Sequence, residues 1–74
     1  MSEHIVDAVG LACPLPLLKA KQALSLLQPG QRLKVLATDA GSVRDFRSWT
    51  DLTAHTLVES TQQERVFIYI IEKG

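Results

Sequence analysis

The chain has 74 residues, 46% of them apolar, and eight basic residues balance eight acidic ones. That length allows a single domain over 1–74, small but able to fold without disulfides or metals, and the apolar fraction excludes a disordered chain. Charge balance leaves no global field to attract nucleic acid or an anionic membrane. No apolar run is long enough to span a bilayer, and the first residues lack the basic segment and apolar core of an export signal, so a cytoplasmic protein is expected.

The stretch "HIVDAV" (4–9) predicts a short strand, rich in β-branched residues and stopped by Gly10. From Pro14 the pattern turns helical. Leu17, Leu18, Ala20, Leu24 and Leu27 recur at helical spacing, Lys19, Lys21, Gln22 and Ser25 fill the other face, and Pro29-Gly30 ends the segment. "RLKVLAT" (32–38) predicts a second strand with Leu33, Val35 and Ala37 on one face and Leu36 on the other. Ser42 reads as an N-cap with Asp45 as its short-armed capping-box acid, and Val43, Phe46, Trp49 and Leu52 step along one face of a second helix. "TLVES" and "RVFIYIIE" predict two further strands, joined as a hairpin by the polar "TQQE".

The order is β-α-β-α-β-β. Right-handed crossovers make the first three strands parallel and the last antiparallel. The expected fold is an α/β two-layer sandwich, a four-stranded mixed sheet with both helices on one face. The last strand is apolar at nearly every position, so some of Phe67, Tyr69 and Ile71 are expected on the uncovered face, either as an interaction surface or as residual exposure on a thin domain.

The only cysteine, Cys13, lies between Gly10 and a pair of prolines. One thiol excludes an internal disulfide, a Cys-x-x-Cys redox pair and an all-thiol zinc site. His4 and His55 could join it on a metal only as scattered side chains, so no metal or cofactor is expected. Pro14 suits the first helical position and Pro16 the first turn, which puts Cys13 at or beside the N-cap. Free N–H groups and the helix dipole there favour a thiolate, although a helix terminus alone is too weak to make it dominant at neutral pH. Parallel strands place both helix starts at one sheet edge, so Arg44 and Arg47 are expected near the sulfur as the cations that help. The competing reading is a small apolar residue packed behind Leu11 and Leu15.

"DAVGLACPLPLLKAKQAL", "DAGSVRDFRSW" and the terminal "IIEKG" together resemble the TusA/SirA-like sulfur carrier family over nearly the whole chain. The most specific element is Cys-Pro-x-Pro (13–16) after an Asp-x-x-Gly (7–10). The resemblance implies the βαβαββ sandwich also known from the C-terminal domain of bacterial translation initiation factor three. It implies that Cys13 accepts a sulfane sulfur as a persulfide from a donor such as a cysteine desulfurase or rhodanese and passes it to an acceptor protein. Transfer RNA thiolation, cofactor synthesis and sulfur metabolism are pathways such carriers serve. Pro14, Pro16, Asp7, Gly10 and Asp45 match the family pattern, with Asp45 read first as a cap and second as a participant. Arg47 stands where many relatives have proline, adding a cation beside the expected site. Two other classes remain open at this level: a regulatory or protein-interaction module using the sheet face, and, on fold analogy alone, an RNA-binding domain. The basic residues are too dispersed to indicate direct nucleic-acid contact.

Overall fold

A computed structural model describes residues 4–74, with elements β1 (His4–Ala8), α1 (Leu15–Ser25), β2 (Arg32–Ala37), α2 (Ser42–Asp51), β3 (Thr56–Gln63) and β4 (Val66–Glu72). The strands form one sheet in the order β1-β2-β4-β3. β1 pairs with β2 in parallel (Val6 with Val35), and β4 runs antiparallel to both β2 and β3. The expected βαβαββ two-layer sandwich is what forms.

One core lies between the sheet and the two helices. Ala20, Leu24 and Leu27 come from α1 and the residues after it, Phe46 from α2, and Leu33, Val35, Ala37, Tyr69 and Ile71 from the sheet. Phe46 is the keystone on the α2 side. Its ring stacks on Tyr69 at 4.4 Å between centroids and meets the edge of Trp49 at 6.1 Å. Truncating a ring so enclosed costs about 3–5 kcal/mol. Trp49 packs against this core, as its helical spacing with Phe46 predicts.

Several local expectations are corrected. Tyr69 and Ile71 are fully buried and Phe67 packs on the core. The alternating partners Ile68 and Ile70 face away from the helices. A strand apolar on both faces carries no parity signal, and an error of one position inverts its faces. Thr61, Gln62 and Gln63 do not form the connection but extend β3, an edge strand exposed along nearly its whole length, where alternation is not required. The hairpin turns at Glu64 and Arg65 instead, with Glu64 at φ +58°. Helix α1 stops at Ser25, and Leu27 reaches the core from the turn that follows.

Candidate functional site around Cys13

β1 and β2 are parallel neighbours, so the loops after Ala8 and after Ala37 leave the same edge of the sheet and deliver the starts of α1 and α2 side by side. The first loop is built by two of the residues singled out from the sequence. The Asp7 carboxylate accepts the Val9 N–H at 3.0 Å, and Leu11 N–H closes a turn onto the Ala8 carbonyl at 3.2 Å. Gly10, third in that turn, takes φ +84°, and its N–H donates to Thr38 Oγ1 at 2.9 Å, tying the loop to the end of β2. Asp7 and Gly10 therefore shape the approach to Cys13 without touching its sulfur.

Pro14 occupies the cap position rather than the first helical one, and Cys13 precedes it. The sulfur is exposed and is not packed among leucines. That removes the reading of Cys13 as a small core residue. It heads an open groove of about 650 Å³ whose other wall is the start of α2, including Gly41, Val43, Arg44, Asp45 and Arg47. The expected meeting of the two helix starts thus occurs, and both arginines line the same groove as the thiol.

The chemistry of the meeting differs from expectation. Cys13 Sγ donates to Asp45 Oδ2 at 2.6 Å. That hydrogen bond holds the thiol above its ordinary pKa, and partial desolvation and the negative charges of Asp45 and Asp39 push the same way. The expected thiolate-favouring environment is absent for identifiable reasons. Pro14 and Pro16 bring no N–H to the helix start, and the Leu15 N–H is taken up by the Ala12 carbonyl at 2.9 Å. Arg44 and Arg47, exposed on α2, do not pair with Asp45. Among the described residues the only ion pair joins Arg32 to Glu72, at 3.1 Å, where β2 begins and β4 ends, at the opposite end of β2 from the site.

Asp45 is not a capping acid either. Gly41 holds the cap position of α2 without a side-chain bond, and Asp45 turns toward the sulfur. Ser42 Oγ, expected to cap, donates to the Asp39 carbonyl at 2.7 Å and shares a buried 2.7 Å hydrogen bond with the Tyr69 hydroxyl. Since the single Ser42 proton goes to Asp39, the Tyr69 hydroxyl is the donor in that pair. Burial raises the Tyr69 pKa, and the negative charges of Asp39 and Asp45 add to the rise.

Asp39 and Gly41 belong to the site although the sequence did not single them out. The Asp39 carboxylate accepts the Gly41 N–H at 3.0 Å. A Cβ on Gly41 would come within 2.9 Å of that carboxylate, so the bare backbone leaves room for the turn inside the β2–α2 loop, while the Cys13 sulfur at 3.9 Å would be in ordinary contact with it. The only sequence signal was the turn-forming "DAGS". The described residues hold no cluster of side chains able to bind a metal. None of their helices is long and apolar enough to cross a membrane.

Comparison with known proteins adds a second line. The family model described as "Sulfurtransferase TusA" matches residues 4–73. The sulfur carrier protein TusA of Allochromatium vinosum is 46% identical over 69 residues, covering 93% of this chain and 91% of its own. A putative sulfur carrier protein of Neisseria meningitidis serogroup A is 42% identical over 72 residues, covering 97% of each chain. Among solved structures, a SirA-like protein from Desulfitobacterium hafniense superposes with a TM-score of 0.81 at 26% identity, covering 95% of this chain and 96% of its own.

Proposed function

Because the chain belongs to the TusA sulfurtransferase family, we infer that it carries sulfane sulfur as a persulfide on Cys13, between a donor protein and an acceptor protein. The observation that carries this reading is the exposed sulfur at the head of an open groove, on the sheet edge where both helices start. A relay needs one accessible sulfur and no resolving thiol, and Cys13 is the only cysteine in the chain.

The loading step balances as a thiol–persulfide exchange. Cys13 Sγ attacks the outer sulfur of a donor persulfide, the new S–S bond forms as the donor's breaks, and the donor sulfur leaves as a thiolate. The proton lost by the Cys13 thiol ends on that leaving group, so a persulfide and a thiol exchange identities with no outside oxidant. Discharge is the same exchange with the acceptor's thiolate attacking the outer sulfur. Cysteine desulfurases and rhodaneses are suitable donors, because both hold transferable sulfur on an enzyme cysteine. Acceptors in transfer RNA thiolation, cofactor synthesis or sulfur metabolism would consume it, in a cytoplasmic setting.

Cyanolysis tests the persulfide itself. Carrier incubated with a cysteine desulfurase and cysteine, then separated from both, should release thiocyanate on treatment with cyanide and return to its unloaded mass. Added mass that cyanide does not remove would mean that the sulfur is not held as a persulfide.

A further inference from the structure

The pairing of the thiol with a carboxylate runs against what a standing nucleophile requires. A sulfur meant to react with any electrophile is placed beside cations or free N–H groups, as reactive cysteines usually are. Here the side-chain partner of the thiol is Asp45 Oδ2, which accepts its hydrogen bond at 2.6 Å. Every charged group around the sulfur can be placed. Asp39 lies on the β2–α2 loop, while Asp45, Arg44 and Arg47 lie on α2. The loop on the α1 side, with Leu11, Ala12 and Pro14, has no charge of its own, and the Asp7 carboxylate at its base is turned to the Val9 N–H. Both arginines reach the groove, yet neither neutralises Asp45. The carboxylate is only partly exposed at the groove wall, holding the thiol on one side and free of an internal cation on the other.

We propose that Asp45 is a specificity-determining residue: it keeps the empty carrier as a neutral thiol toward free electrophiles, and a lysine or arginine of the docked sulfur-donor protein takes over its carboxylate and releases the nucleophile. This rests on the carrier reading of Cys13. In solution the Cys13 proton stays in its hydrogen bond to Asp45. In the complex the partner's cation pairs with Oδ2, and the Cys13 proton passes to the donor's leaving thiolate as the new S–S bond forms. A carrier that must cross a cell full of small electrophiles thereby gains reactivity only at its partner's persulfide.

The experiment compares the unaltered chain with Asp45→Asn, which keeps the shape and removes the charge. Asp51→Asn, exposed at the far end of α2, serves as the control. Alkylation by iodoacetamide is measured across pH, alongside sulfur loading from glutathione persulfide and from a cysteine desulfurase with cysteine. At neutral pH, Asp45→Asn should speed alkylation and small-persulfide loading several-fold, with its alkylation profile moved to lower pH, and leave desulfurase loading unchanged or slower. Asp51→Asn should change none of these. Alkylation equal to the unaltered chain would overturn Asp45's hold on the thiol. Desulfurase loading accelerated by the same factor as the small reagents would overturn the partner's part. If the unaltered chain takes up sulfur from neither donor, the carrier reading fails and the partner's part with it, while alkylation still decides whether Asp45 restrains Cys13.

Discussion

The hydroxyl of Tyr69, in the middle of β4, reaches the hydroxyl of Ser42 in the first turn of α2, and the two share a 2.7 Å hydrogen bond in the fully buried core. Three residues along the helix, Asp45 meets Cys13. The contact therefore fixes the start of α2 against the sheet at the point from which Asp45 is aimed, and Phe46, stacked on the Tyr69 ring, holds the next position.

Removing that hydroxyl tests the anchor. Tyr69→Phe should lower stability by about 1–2 kcal/mol in urea unfolding, because a buried hydrogen bond is lost while the ring stays packed. The alkaline limb should change too. The Tyr69 pKa is raised in the folded state, so its contribution is fully present below the ordinary value of 10.0 and is lost as pH rises through the folded value. The unaltered chain should thus lose stability above about pH 10, and Tyr69→Phe should lose less of it over the same range. An identical alkaline slope in the two chains would mean that Tyr69 does not ionise with unfolding.

Gly10→Ala probes the loop that delivers the thiol. No atom lies within 4 Å of the added methyl, so the whole cost comes from holding alanine at φ +84°. A penalty of about 1–2 kcal/mol is expected. Asparagine, which tolerates this region, should recover part of it. Equal stability of the alanine variant would show that the loop can adopt another turn.

Arg47 lines the groove but does not hold Asp45, so Arg47→Ala should leave the pH profile of Cys13 alkylation nearly unchanged. Its effect should appear with a protein donor instead, as weaker loading with a reduced dependence on salt. Proline is a poor probe at this position. Arg47 lies inside α2, and losing its helical N–H would cost about 3 kcal/mol whatever happens at the sulfur.

Much of this arrangement is legible without coordinates, because it follows from periodicity. Leucines at helical spacing after Pro14 and alternating residues in "RLKVLAT" set the element order, and parallel β1 and β2 then bring Cys13 to the start of α2. Which α2 side chain meets the sulfur is a matter of helix rotation. Residues one and two apart on a helix do not face the same way, so Asp45 can reach Cys13 while Arg44 and Arg47 line the groove without pairing with that carboxylate. Charge counting along the sequence cannot resolve that, and it gave the wrong sign for the thiol. The contacts of Tyr69 with Ser42 and of Gly41 with Cys13 join residues 27 and 28 positions apart, and no local pattern signals them.

Intact mass after loading tests the central claim most directly. Incubated with a cysteine desulfurase and cysteine, the unaltered chain should gain the mass of one sulfur atom. Cys13→Ser, folded to the same stability because the side chain is exposed, should gain none. A gain of the same size in Cys13→Ser would place the sulfur somewhere other than Cys13 and contradict the account.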